Sequence, residues 1–470
     1  MRFSRSEAVK RTKNIILLAG AGCGGLQLSS SSLLQVCSES RALAIKTDET
    51  MPRKADVVVI GAGIIGVFAA LTLAEKGYSV SIFEKGVVAG EQSSRALGWI
   101  SSLGDSPLRL GLSVPSKAIW GSLAQRLQIE TTYRVDGLLF KCAKEAEIAH
   151  WMQWAKDNRE GGGDELRILT GTALAKHLPS VGADQPWLAG VWQPADGSIE
   201  PSLAVPRIAK ALRDKGVNII ENCAVRGIET SGGKVSSVVT ERGETLCQAV
   251  VLAGGAWSRL FMQNRGIALP LLPIYSFVSR IPGFEGGPAG GGLGAGVAWR
   301  KEADGGYAVS VPTITAPLLP DHIRFTRLFY SMLKTNWRKI RFALSPDFWD
   351  GLFIETSWSG NDVTLFEKQR LLAPRVDEGL IEDALTAFCQ EFPQAAGIMA
   401  HEEWGGVIDT TPDCAPIIQK IEQIPGLVIA VGMSGHGLSM GPAAGQMAAE
   451  LVTNETKMGV DPLLYRAIRF

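Results

Sequence analysis

Between residues 55 and 102 the hydrophobic pattern of the chain changes three times. Asp56 leads into an unbroken β-branched run, Val57 to Ile60, the signature of a strand buried on both faces of a parallel sheet. Gly61, Gly63 and Gly66 follow at once in the spacing G-x-G-x-x-G. Helical periodicity over Val67 to Lys76 (VFAALTLAEK) then stops at Gly77, a C-cap residue. Tyr78 to Phe83 (YSVSIF) predicts a second strand, and it ends on Glu84. The prediction is a strand–helix–strand unit with its glycines at the first turn.

That layout carries chemistry. Glycines let backbone approach a pyrophosphate, and the helix beginning at Ile64 and Ile65 offers N–H donors and positive potential to it. Glu84 lies 23 residues past Gly61, where a carboxylate accepts hydrogen bonds from ribose hydroxyls and repels a 2′-phosphate; Lys85 is beside it.

Three later patterns favour FAD over NAD. Gly86 to Ser102 (GVVAGEQSSRALGWISS) is small and polar, and suits a loop along a pyrophosphate and ribityl chain with Gln92, Ser93, Ser94, Arg95, Ala96 and Leu97. Val217 to Thr230 reads as a strand pair passing an adenine at Ala224 and Val225, and Ala249 to Trp257 (AVVLAGGAW) as a strand ending in Gly254 and Gly255, with Trp257 just beyond. Leu427 to Pro442 (LVIAVGMSGHGLSMGP) is a strand running into Gly435, His436, Gly437 and Leu438, with a helix expected after Pro442 and its N-terminus at the flavin ring. These strands and helices predict an α/β fold (α+β overall) with a Rossmann-like FAD-binding sheet.

Composition narrows the rest. The 470 residues allow two or three domains, and 47 basic against 47 acidic residues give no net pull toward nucleic acid. Seven cysteines without C-x-x-C spacing and five histidines without H-E-x-x-H indicate neither a disulfide framework nor a metal centre. The first 50 residues stand apart. Arg2, Arg5, Lys10, Arg11 and Lys13 precede an apolar run from Ile15 to Leu26, the layout of a signal or membrane anchor, and Arg41 to Ala44 (RALA) offers a cleavage site. His322 to Pro346 holds six Lys or Arg and no acid, interleaved with Phe325, Leu328, Phe329, Met332, Leu333, Trp337 and Phe342. This is the composition of a helix lying on a membrane surface.

Together ADVVVIGAGIIG, EKGVVAGEQSSRA, CQAVVLAGGAWSR and VGMSGHGLSMGPAAG resemble the FAD-dependent amino-acid oxidase (DAO) superfamily, and DGSIEP at Asp196 to Pro201 matches its D-G-x-x-x-P segment. Within it, AGEQSSRA, NCAVRGIETSGGK and VLAGGAWSRLFM are similar to the membrane-associated bacterial L-amino-acid deaminases. The resemblance spans roughly 52–455. It implies a Rossmann-like FAD domain in several chain pieces, 51–110, 202–260 and 410–455, interleaved with a mixed-sheet substrate domain from 111–201 and 261–409, and a helical, membrane-interacting insertion at 313–372, after a signal or membrane-anchor segment at 1–50. It further implies conversion of an L-amino acid to a 2-oxo acid and ammonia at the bacterial cytoplasmic membrane, on a side left open, with electrons passed to a quinone or cytochrome.

Departures from the family pattern bear on the substrate. Glycine oxidases carry an arginine in W-x-G-x-R, whereas Trp404 to Asp409 (WGGVID) has Ile408 there; the deaminases carry one past G-x-Y-A-V, whereas none follows Gly306 to Ile314 (GYAVSVPTI). Gly435-His436-Gly437 replaces an aromatic-containing turn. Arg300 is the remaining candidate for a substrate carboxylate, with an alternative as a structural partner of Glu302 or Asp304. Gly406 falls where sarcosine oxidases have a tethering cysteine, so FAD is expected to be non-covalent. Gln92 matches a pocket glutamine of the deaminases, His436 is a candidate dipole or cation at the flavin carbonyl, and Trp99 is a candidate pocket wall. Two other readings stay open: a secondary-amine or opine oxidase on the same fold, and an electron-transfer subunit, which no iron–sulfur cysteine spacing supports.

Overall fold

The computed structural model describes residues 26–36, 40–159, 165–178, 187–294 and 296–470. Its centre is a six-stranded sheet. Val57–Ile60 lies between Val80–Phe83 and Ala249–Leu252, with Asn218–Ile220 and Leu427–Val431 outside them, all parallel; Ile417–Lys420 closes one edge antiparallel. Helices Ile64–Glu75, Pro201–Asp214 and Gly437–Thr453 bury one face, and Ile228, Val238, Leu260 and Phe261 pack the other. Coverage on both sides is why Val57–Ile60 carries no polar alternation.

Glycines set how closely the helices approach this sheet. Gly61 has φ +104°, and a Cβ there would lie 2.6 Å from the Ala253 carbonyl oxygen. A Cβ at Gly445 would stand 2.7 Å from the carbonyl oxygen of Ile65, so helices Ile64–Glu75 and Gly437–Thr453 touch backbone to backbone. The second of these begins before Pro442, not after it. Pro442 has no N–H to give the Leu438 carbonyl, and the Trp120 indole supplies that hydrogen bond at 2.9 Å.

An eleven-stranded mixed sheet forms the second layer. Its long central pair, Leu272–Ile281 and Glu402–Thr410, runs antiparallel in register from Leu272 opposite Thr410 to Arg280 opposite Glu402. Ile314–Pro317 and Ile340–Leu344, from the expected insertion, extend this sheet, and helix Thr326–Asn336 between them buries only Phe329.

Part of the expected leader belongs to the fold. Residues 1–25 lie outside the described residues, but Leu26–Leu28 pairs with Ile340–Leu344 and Leu34–Val36 with Leu372–Pro374. Arg41 stacks on Trp404, 3.3 Å from the ring centroid, and pairs with Glu402; the Leu43 amide donates to Ser202. A cut after Ala44 would remove both strands and this anchor. Among the described residues no helix is long and apolar enough to cross a membrane.

Candidate active site

A cavity opens at the carboxyl ends of the parallel strands and continues beneath the Leu272–Ile281 and Glu402–Thr410 pair. Its first stretch is the glycine turn. Gly61, Gly63, Ile64 and Ile65 line it, and helix Ile64–Glu75 starts with no side-chain cap from its own N-cap Gly63. Ser93 Oγ accepts from the Ile64 amide at 3.0 Å, which ties the second loop to the turn. Glu84 receives the amides of Ala62 and Gly86 at 2.9 and 2.8 Å. Burial pushes its carboxyl upward, opposed by Lys85 and those amides.

Beyond the turn, Lys85 pairs with Glu91 at 2.8 Å and sits 4.3 Å from the Trp257 ring centroid. The Trp257 indole donates to Glu91 at 2.9 Å, and Phe366 meets the same ring edge-on. Lys85 also donates to the carbonyls of Gln369 and Arg370, so the chain after the basic helix closes this end of the cavity.

At the opposite end, Gln92, Arg95, Ala96, Leu97, Gly254, Gly255, Gly435, Gly437 and Leu438 meet Ser276, Val278, Ala298, Ser310 and residues 406–409. Gln92 Nε2 donates to Asp409 Oδ1 at 3.2 Å, and Asp409 Oδ2 accepts from the Gly432 amide at 2.7 Å. Burial raises the Asp409 carboxyl to about 6 against the pull of the Gly432, Asp409 and Met433 backbone amides.

Most of the residues expected from sequence therefore stand on one wall, Val225 and Trp257 included. Gly66, Ser94, Ala224 and His436 do not line it. A Cβ at Gly66 would overlap the Gly61 carbonyl oxygen at 2.0 Å, so that glycine serves the turn and not the cavity surface. Ser94 and Ala224 are buried in the packing behind it. His436 Nδ1 is tied to the Ser434 carbonyl at 2.8 Å, and burial holds the ring down at about 3. Burial thus favours the neutral ring, the dipole alternative over the cation. Arg300 takes the structural alternative, pairing with Glu302, and does not line the cavity. It is buried, with Nη1 on Glu200 and Nη2 on Glu302, each at 2.8 Å, and Nε on the Leu97 carbonyl at 2.6 Å. Its charge is committed to two carboxylates, which makes it a support under the Leu97 loop. Trp99 likewise gives its N–H to the Trp299 carbonyl, outside the cavity wall.

Sequence reasoning missed Asp409, Ser276, Ser310 and Phe366. Asp409 ends the same WGGVID stretch in which an arginine was sought. A lone carboxylate after two apolar residues of a strand was its available signal. The other three carry no local signal.

The FAD-dependent oxidoreductase (DAO) family model matches residues 56–451. The chain belongs to the DAO family. The L-amino acid deaminase of Proteus myxofaciens, solved in complex with anthranilate, superposes with a TM-score of 0.90 at 34% identity, covering 95% of this chain and 100% of that one. Glycine oxidase of Geobacillus kaustophilus is 25% identical over 88% of this chain and 97% of its own. Sarcosine oxidase subunit beta of an Arthrobacter species is 24% identical over 86% of this chain and 88% of its own.

This DAO protein is an FAD-dependent oxidoreductase acting on amino-acid or amine donors. The cavity fits the cofactor. The left-handed Gly61, the helix start without a cap from Gly63 and the Glu84 carboxylate follow one another along the wall, in the order that pyrophosphate and ribose require. FAD is held non-covalently: the wall residues include no cysteine or histidine that would tether it.

Proposed function

We propose that this protein is a membrane-associated L-amino-acid deaminase. It would convert L-amino acids to 2-oxo acids and ammonia and pass the electrons to the respiratory chain. The observation that carries this reading is the likeness, at 34% identity over nearly the whole chain, to the Proteus deaminase fold. FAD, when bound, accepts a hydride equivalent from the carbon that bears the amine. The resulting carbon–nitrogen double bond then takes up water, releasing ammonia and leaving a carbonyl.

The chain's own residues orient and enclose the substrate. Gly61, Gly63, the helix start at Ile64 and Glu84 would hold the dinucleotide, and Gln92 with Asp409 would face the reacting amine. With Arg300 committed elsewhere, Arg95 is the arginine on the wall beside Leu97 and Gly406, and we assign it the substrate carboxylate. A membrane partner is supported by the face around helix Thr326–Asn336. Ile323, Leu328, Tyr330, Trp337, Leu352 and Phe353 are exposed there, next to Arg324, Arg327, Lys334, Arg338 and Lys339.

One observation favours a second reading, oxidation of secondary amines. Val278, Ala298, Val407 and Ile408 make the substrate end largely apolar, with Ile408 where glycine oxidases place an arginine. Anaerobic bleaching of the flavin absorbance by a panel of L-amino acids, D-amino acids and secondary amines separates the two. Bleaching by L-amino acids establishes the deaminase; bleaching confined to secondary amines replaces it. Reoxidation by a quinone in membranes, but slowly by oxygen, is expected of the first.

A further inference from the structure

Two polar groups of opposite hydrogen-bonding capacity meet at the flavin end of the cavity. Gln92 carries a donor and an acceptor on one amide, and Asp409 in its ionised form can only accept. Gln92 Nε2 donates to Asp409 Oδ1, while Asp409 Oδ2 is held by the Gly432 amide. The carboxylate is therefore fixed at one oxygen and dictates which end of the amide it receives at the other. Gln92 Oε1 is left against Gly255, where an added Cβ would stand 2.3 Å from it. Both residues line the cavity, and among the described residues no donor reaches Oε1. Gly255, at φ +52° and without a side chain, makes the room.

We propose that Asp409 is a positioning residue. Its carboxylate holds the Gln92 amide nitrogen, so that Oε1 faces the cavity as the acceptor for an N–H of the substrate amine. This rests on the amine-oxidising reading given above. Protonated Asp409 offers an O–H of its own and no longer compels that orientation, so the pocket would lose its selective acceptor.

The charged groups around Asp409 leave this contact to Gln92. Arg95, on the short Gln92–Arg95 helix, donates to the Gly405 carbonyl. Asp413, beyond the end of the strand, is paired with Arg469 at 2.7 Å. His436, in the turn after Val431, is neutral, and the facing strand places Pro273 opposite Asp409. Ionisation of Asp409 near 6 puts the change in a range where the protein can be assayed.

The test uses the FAD-loaded full chain and an amine from the panel that reduces it. In the natural protein the anaerobic reduction rate should rise about tenfold as pH increases through about 6, the effect of one hydrogen bond to a charged partner. In Asp409→Asn that limb should disappear. In Gln92→Met it should disappear as well, because Asp409 acts only through Gln92. A limb that persists in either variant overturns the proposal, and Gln92→Met decides it where Asp409→Asn fails to load FAD. If no amine reduces the flavin, the functional reading fails separately. The oxidised flavin spectrum then decides the point. A titration near 6 that is present in the natural protein and lost in Asp409→Asn supports the charge beside the flavin. One that is absent, or unchanged in the variant, overturns it.

Discussion

Replacing Arg300 by methionine separates a structural from a substrate-binding arginine. The variant keeps much of the aliphatic volume and removes the guanidinium. Glu200 and Glu302 each lose a 2.8 Å partner inside the protein, and the Leu97 carbonyl loses its 2.6 Å donor. Removing one member of a buried ion pair costs about 3–5 kcal/mol. Compensation exists: Glu302 keeps Arg280, and Glu200 keeps Arg134 at 3.4 Å and the Ala303 amide at 3.1 Å. The expected loss is therefore at the lower end, about 3 kcal/mol, against a total stability of roughly 5–15 kcal/mol. Thermal unfolding of the FAD-loaded protein at pH 7 should show a midpoint several degrees lower. The opposite result is as clear. An unchanged midpoint with a KM raised a hundredfold for amino acids would return Arg300 to the substrate carboxylate and refute the structural assignment.

Arg95→Lys should raise KM for amino acids at least tenfold while leaving simple amines little affected, because lysine cannot reproduce a bidentate carboxylate contact; steady-state kinetics on both substrate types checks this. Gly61→Ala puts a side chain on a left-handed residue, at about 1–2 kcal/mol, with its Cβ 2.6 Å from a carbonyl oxygen. The absorbance ratio of flavin to protein should fall in that variant. Asp409 is held above its ordinary 3.8, so the folded protein binds its proton more tightly than the unfolded chain, and the associated stability is lost as pH rises from about 4 through about 6. Two units correspond to about 3 kcal/mol; Asp409→Asn should therefore flatten the denaturation free energy over that interval. Replacing Ile323, Tyr330 and Phe353 by serine should reduce affinity for anionic vesicles, read by co-sedimentation, by at least about a thousandfold without changing flavin reduction, since three inserted apolar side chains contribute roughly 1.5–3 kcal/mol each.

The parts of the site legible in the sequence are those whose physics is local. Gly61 and Gly66 constrain each other within one turn, and a 2.0 Å overlap at the second is a property of that turn alone. The FAD-binding segments could thus be named from short patterns. What stayed hidden depends on partners far along the chain. The pairing of Arg300 with Glu302 was open to a sequence reading, but its second partner, Glu200, lies 100 residues away. His436 looked exposed to the flavin because a backbone carbonyl two residues earlier, its actual partner, leaves no mark in composition. Pro442 argued for a helix start after it, yet the helix passes through, because the Trp120 indole, 318 residues away, satisfies the carbonyl that proline frees. In each case a polar group that cannot go unpaired found its partner in tertiary space. The same rule gives Asp409 its interest. Its two oxygens are met by backbone amides and by Gln92, all neutral donors, so the charge it carries above about 6 is not cancelled within the site. A buried carboxylate without a countercharge is costly to keep. Its place beside Gln92, on the cavity wall after Val407 and Ile408, is what a role in orienting the substrate amine would explain.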